Sequence, residues 1–324
     1  MVAVSYHDTV NVLQAVDAAP QGPFDRAEWF DLVASAGKKP LVALGANGSG
    51  TAAMVLTRAN ERIEPLRNWY AFTWRPLGTE TAWAAIAATL RGQAGRVTLW
   101  PVPGEDGSAT ALAEAFRAAG WLVAVEPCDH NHVLTVGGRS FAEYWASRPG
   151  QMRTTLKRKV KKVTVDIRDR FDPAAWADYE SIYGESWKPE EGDPALLRRF
   201  AVAEGAAGRI RLGIARTPEG EAVAAQFWTV ENGTAYIHKL AHRESAKPLS
   251  AGTTLSAALF ERVIDIDLVE LVDFGTGDDP YKRDWMEDDR PRYRIDCLDP
   301  RQPRAWPALA KRFARALAPG GRGR

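Results

Sequence analysis

The chain has 324 residues, 45% hydrophobic and 26% charged, with 42 Lys and Arg against 41 Asp and Glu. That length suits two cores better than one, and the balanced charge excludes a global field drawing the protein onto DNA or an anionic membrane; peripheral membrane contact through a local patch stays open. Cys128 and Cys297 are the only cysteines and lie far apart without CxxC spacing, which argues against a disulfide framework and a structural zinc site and for a reducing compartment.

The N-terminus carries acidic residues early and lacks a basic start before an apolar run, so it does not read as a signal peptide. No stretch approaches the roughly 20 apolar residues that cross a bilayer, and a soluble cytoplasmic protein is expected. In the first half, PLVALGA and TAAMVLTRA flank a Gly-rich turn from Asn47 to Gly50 and read as a hairpin, with NWYAFTW as a third strand. A helix from Thr79 to Leu90, a strand at RVTLWPV, a helix ending at Gly120 and a strand at WLVAVEP follow.

The second half opens near Gly137 with a long helical stretch interrupted at Pro149. Next come a strand at VTVDI, a helix from Pro173 to Trp187 and another at DPALLRRFAVAEG. Three strands follow, RIRLGIA, AVAAQFWTV and TAYIHKLA, the last two joined by a strong Asn-Gly hairpin signal. A helix from about Ser250 to Ile264, a strand at LVELVDF, a short helix from Tyr281 to Trp285 and a strand at YRIDCL complete it. The tail after Phe313 is Gly- and Arg-rich and is expected to fray.

The core order of three strands, helix, strand, helix, strand occurs twice, which suggests a diverged duplication. The expected fold class is α/β with a mixed (α+β) sheet in each of two domains, 1–136 and 137–324.

Five features can carry chemistry. The small-residue turn before the helix at Ser250 offers the backbone N–H groups of Ser250, Ala251 and Gly252 to a phosphate, although a simple cap explains Ser250 equally well. In TAYIHKLA, alternation places Tyr236, His238 and Leu240 on one face and Ile237, Lys239 and Ala241 on the other. His238 suits proton transfer near neutral pH, with Gln226 as a neighbour that orients substrate or fixes its tautomer; a satisfied strand histidine is the commoner case. In DFGTGDDPYKRDW, Gly275 and Gly277 give a sharp path beyond a strand end, Asp278 caps the helix of Tyr281, Lys282 and Trp285, and Asp273 anchors an amine or a lysine. The Tyr281 phenol can then protonate a departing thiolate. Trp187 and Lys188, where a helix breaks before Pro189, suit the acceptor side of a cleft, and Lys239, Asp278 and Lys282 are grouped with them as acceptor contacts. The basic row Arg153, Lys157 and Lys161 suits phosphates, though its lack of interleaved aromatics weakens a nucleic-acid reading. No metal is expected.

With NWYAFTWRPL, LKRKVKKV, ESWK, IHKLA followed by KPLSAG, and DFGTGDDPYKRDW, roughly Phe24 to Leu298 resembles the GNAT acyltransferases, and more narrowly the CelD/BcsL group of tandem GNAT-like proteins, cousins of the Fem aminoacyltransferases. The resemblance implies that KPLSAGTTL binds the pyrophosphate of acetyl- or another acyl-coenzyme A through Lys247, Ser250, Ala251, Gly252 and Thr253. It also implies that Tyr281 protonates the leaving thiolate and that the first half is a degenerate copy. The usual loop has two closely spaced glycines, whereas Gly252 stands alone, which leaves aminoacyl-tRNA as an alternative donor. The expected activity is N-acylation of a small-molecule or envelope-precursor amine. A silent scaffold in polysaccharide assembly is the reading from another class.

Overall fold

The computed structural model describes residues 2–48 and 50–317. Its elements in chain order begin with β1 (Ala3–His7), α1 (Ala27–Ser35), β2 (Pro40–Asn47), β3 (Gly50–Ala59), β4 (Arg62–Pro65), β5 (Leu77–Gly78), α2 (Trp83–Leu90), β6 (Arg96–Pro103), α3 (Ser108–Ala118) and β7 (Leu122–Thr135). There follow α4 (Phe141–Ala146), α5 (Gly150–Lys159), β8 (Thr164–Arg168), α6 (Pro173–Gly184), α7 (Pro194–Ala206), β9 (Ile210–Arg216), β10 (Ala222–Glu231) and β11 (Thr234–His242). The last are α8 (Ala251–Glu261), β12 (Leu271–Thr276), α9 (Lys282–Trp285), β13 (Asp288–Leu298) and α10 (Trp306–Leu317).

The chain forms two compact units, one of residues up to Asp129 together with those from Arg290 on, the other of His130–Asp289. In the first, β1 to β4 form an antiparallel run, β6 lies parallel to β4 with Ile63 opposite Val97, and β13 pairs antiparallel with β6. Trp29, Phe30, Trp74, Ile86 and Phe116 are buried in its core.

In the second unit, β8 to β11 form the antiparallel run, β12 lies parallel to β11, and residues 131–135 of β7 pair antiparallel with β12. Asn232 and Gly233 take φ of 48° and 70° between β10 and β11, the two-residue turn with both φ positive that an Asn-Gly pair favours. One face of this sheet packs on α8 through Trp228, Leu255, Phe260 and Val272. Gly213 makes that approach possible, since a Cβ there would fall 2.8 Å from Leu255 Cδ1. Each fully buried Leu or Phe in this layer contributes about 1.5–3 kcal/mol. On the other face, Phe227 meets Trp176 of α6 and Phe200 of α7.

Four expectations are corrected. The last strand does not stay with the second half: residues 292–298 of β13 hydrogen-bond along β6, because a strand joins whichever edge is unpaired. The compact units therefore divide near 129/130 and 289/290, not at 136/137. NWYAFTW is not a strand, since Asn68 accepts from the Tyr70 N–H and turns the backbone while Tyr70, Phe72 and Trp74 go inward. The strand that follows β3 is instead β4, after a tight turn at Asn60 (φ 55°). Finally, residues past Phe313 continue α10 to Leu317, whereas 318–324 of the expected frayed tail lie outside the described residues.

Candidate functional site

Strands β11 and β12 are parallel neighbours for three residues only, with Thr234, Ala235 and Tyr236 opposite Leu271, Val272 and Asp273. Beyond Tyr236, β11 continues with β10 to His242, while β12 ends beside β7, Thr276 facing Asn131. The two strands part, so residues 237–242 of β11 have no β12 partner beside them at the carboxyl end of β12, where α/β sheets collect ligands.

A bulge redirects the side chains of β11 at this point. Lys239 pairs with Phe227 and Ile237 with Trp228, leaving His238 as the extra residue. His238 and Lys239 consequently share the α6 side of the sheet, while Leu240 joins Ile237 on the α8 side. Uninterrupted alternation, which would separate His238 from Lys239, is corrected by that one residue. The His238 ring stacks on Phe227 at 5.0 Å and meets Phe200 edge-on at 5.2 Å, with Nε2 2.7 Å from Thr229 Oγ1. The ring is thus held by two phenylalanines while the residue keeps part of its surface exposed.

Lys239 is the side chain the bulge delivers. Its ammonium is 2.8 Å from Glu191 Oε1 and 5.3 Å from the Tyr183 ring centre, and Tyr179 Oη donates to Glu191 Oε2 at 3.1 Å. Burial lowers the Lys239 pKa to about 8 despite the adjacent carboxylate, and burial likewise lowers that of Lys188, which feels Glu191 and Asp279. Trp176, Tyr179, Tyr183, Lys188 and Glu191 line a cavity of about 370 Å³ between α6 and α7. Aromatic walls around a carboxylate suit an ammonium or amine. Trp187, half exposed, instead packs at a tilt on His242 with ring centres 4.4 Å apart, and His242 Cδ2 borders Gly252.

Ser250 adopts the left-handed conformation (φ 54°) and starts α8 without a side-chain cap. The first intrahelical bond runs from Thr254 N to Ser250 O, so the N–H groups of Ala251, Gly252 and Thr253 have no acceptor among the described residues. A Cβ at Gly252 would meet only His242 Cδ2, at 3.5 Å, so the approach is open. Lys247 is exposed and paired with Glu244 at 2.6 Å. Gln226 lies beneath this turn, buried between β10 and α8, where it donates to Ser256 Oγ at 2.7 Å and to Gly252 O at 3.4 Å and accepts from Trp228 Nε1 at 2.9 Å.

The turn after β12 gathers several charged groups. Asp273 is buried and accepts from Asn131 Nδ2 (3.0 and 3.2 Å) and from the Gly275 N–H (2.7 Å), which braces the turn. The buried Lys282 Nζ donates to the carbonyls of Thr276 (2.5 Å) and Gly275 (3.4 Å). Asp278 caps no helix, since α9 starts after Tyr281 without a side-chain cap; it accepts from Arg283 and faces His130 and His132. The Arg283 guanidinium, then His130, holds the Asp278 carboxyl below its usual range. Burial, then the Lys282 charge, lowers that of His132. Tyr281 packs edge-on against Phe274 at 5.7 Å, and burial, reinforced by Asp279, raises its phenol well above the ordinary value, keeping it protonated.

The arrangement brings Tyr281, Asp279, Lys188, Glu191 and Lys239 into one linked set through their mutual electrostatic effects. Sequence reasoning missed Glu191 and Tyr179. The signal available for them was the Tyr179–Tyr183 spacing on α6 followed by PEEG, an aromatic helical stripe running into acids. It also missed the His130–Asn131–His132 triplet.

Residues 150–283 match the family model described as "Acetyltransferase (GNAT) domain". In fold the chain is similar to FemX (TM-score 0.64, 10% identity, 90% of this chain and 95% of that one). It is also similar to L-PGS from Bacillus licheniformis (0.58, 13%, 93% and 94%) and to a tandem GNAT protein from the clavulanic acid biosynthesis pathway (0.50, 12%, 91% and 98%). No curated protein matches the chain in sequence. Residues 150–283 thus form a GNAT-type acyltransferase domain, within a mixed α/β fold shared with tandem GNAT proteins.

Proposed function

We propose that the chain is an N-acyltransferase that draws its donor into the opening between β11 and β12. The observation carrying this reading is the three-residue parallel pairing, beyond which β11 runs on without β12 to His242, itself bordering Gly252 at the uncapped start of α8. The N–H groups of Ala251, Gly252 and Thr253, at the positive end of the helix, take the donor's phosphates, and the arm carrying the acyl group runs along 237–242. Acetyl- or another acyl-coenzyme A has that anatomy. The acceptor amine enters the aromatic cavity and is held by Glu191. Its nitrogen attacks the acyl carbon, the N–C bond forms, the C–S bond breaks, and the Tyr281 proton passes to the departing thiolate. The proton lost by the amine is taken by Lys239, a fraction of which is neutral near pH 7 with a pKa of about 8. His238 is a positioning residue in this scheme, holding the bulge that aims Lys239.

The first unit belongs to this reading as a degenerate copy of the second, as do placement in the CelD/BcsL group, an envelope-precursor acceptor and a cytoplasmic location; no helix among the described residues is long and apolar enough to cross a membrane. A second reading, aminoacyl-tRNA as donor, is favoured by one observation: the basic α5 packs on α8, with Lys159 Nζ donating to Pro248 O at 2.9 Å beside the candidate phosphate site. The test is acyl transfer from acetyl-coenzyme A to a panel of polyamines, amino sugars and amino acids. Turnover by wild type, reduced about 100-fold or more in Tyr281→Phe, is expected. No turnover with any amine, combined with salt-sensitive tRNA binding, selects the second reading.

A further inference from the structure

His130 and His132 are two residues apart in β7, so the extended backbone turns both imidazoles to one face while Asn131 turns to the other, toward Asp273. Because β12 runs antiparallel beside this strand, the turn leaving it passes His130 and His132. There Asp278 Oδ1 lies 3.4 Å from His130 Nε2 and 3.3 Å from His132 Nε2, and the three ligand atoms all fall within 4.8 Å of one another. Those separations exceed the usual N–H···O range of about 2.7–3.2 Å. They equal the edge of a tetrahedron, about 3.3–3.4 Å, around an ion bonded at about 2.0–2.1 Å.

We infer that His130, His132 and Asp278 bind a divalent transition-metal ion of the zinc class, with water completing the coordination. Two imidazoles and a carboxylate are a nitrogen and oxygen donor set suited to that class and too poor in oxygen for magnesium or calcium. His132 is 3% exposed, whereas His130 and Asp278 are 33% and 45% exposed, which leaves one side open for ion entry and a water. The surrounding contacts are those of a supported site. Arg283 Nη2 donates to both Asp278 oxygens, at 2.6 and 2.8 Å, so Oδ2 remains held when Oδ1 turns to the ion. The Lys282 ammonium is turned to the Gly275 and Thr276 carbonyls. Such an ion ties β7 to the turn that carries Asp279 and Tyr281, and it stiffens that turn.

The test uses the full chain, free of any histidine tag, stripped with a chelator and titrated with Co²⁺ and then Zn²⁺. One equivalent of Co²⁺ is expected, with the intense visible absorption of a four- or five-coordinate site that Zn²⁺ abolishes, and Zn²⁺ raises the melting temperature. His130→Gln and Asp278→Asn, both at partly exposed positions and checked for folding by circular dichroism, are expected to weaken Zn²⁺ binding by about tenfold or more. Wild type showing only the weak octahedral Co²⁺ spectrum, or both folded variants binding Zn²⁺ as tightly as wild type, overturns the inference.

Discussion

The two units repeat one arrangement, an antiparallel run, a parallel strand and then an antiparallel one, yet they treat the parallel junction differently. In the second unit β11 and β12 part after three residue pairs, and residues 237–242 make no further pairing with β12. In the first, β4 and β6 meet at Ile63 and Val97, and the chain itself fills the space that follows. Trp74 N donates to Pro101 O of β6 at 2.8 Å, Trp74 Nε1 donates to Val55 O of β3 at 3.0 Å, and Leu66, Tyr70 and Phe72 are buried beside it. The helix starts differ as well. A 3-10 turn with an acid in its first turn precedes both, Glu80–Ala82 before α2 and Glu244–Leu249 before α8, but α2 begins on the bulky Trp83 and α8 on the small Ala251 and Gly252. A junction therefore becomes a core when it is filled with aromatics and a site when it is left open.

The comparison breaks most easily at Trp74. Trp74→Ala is expected to cost about 3–5 kcal/mol of stability from the lost volume, with the Val55 carbonyl still held by the Leu66 N–H, and without changing donor affinity in protein that remains folded. Chemical denaturation and calorimetric titration read the two effects separately. If the substitution instead abolished donor binding at unchanged stability, the first unit would hold the site.

Next in size is the buried Lys239. Its folded pKa of about 8 lies below the ordinary 10.5, so the native state releases a proton that the unfolded chain keeps between those values. The cost of holding the charge is complete below about pH 8. Stability rises with pH from there to about 10.5 and then levels, by roughly 3 kcal/mol in total. Lys239→Met removes this contribution, and the difference between the two unfolding curves across that window isolates it from other titrating groups. Parallel curves would show that Lys239 is not held out of water by Glu191 and the tyrosines.

The smallest effect expected is at the helix start. Gly252→Asp adds a negative charge where an added Cβ meets nothing closer than 3.5 Å, so folding is preserved while donor affinity falls about tenfold, or roughly 1.4 kcal/mol. Gly252→Ala serves as the neutral control. Equal losses in both variants would assign the effect to shape and not to charge.

Much of this fold was legible because its signals are local. The Asn232-Gly233 turn, the apolar periods of α2, α3, α6, α7 and α8, and the three-strand run from β9 to β11 each lie within a few residues of their cause. What escaped is non-local. The sequence of β13 reads as a strand but cannot say that β6 is its partner, and the aromatic NWYAFTW looks like a strand because filling a gap and covering a sheet call for the same residue types. At the site, Tyr281, Lys188 and the turn at Ser250 were visible from charge, aromatics and small residues. The bulge was not, since nothing in TAYIHKLA marks His238 as the extra residue; that extra residue is what brings Lys239 to Glu191. Glu191 lies 48 positions before Lys239, and only the folded chain joins them.

The central claim is that the open junction of the second unit receives the donor and the filled junction of the first does not. Amide hydrogen exchange of the full chain, with and without saturating acetyl-coenzyme A, tests it most directly. The account predicts added protection at 237–242 and 250–254 and no change at 62–78. Protection at 62–78, or none anywhere at a concentration that saturates binding, would contradict it.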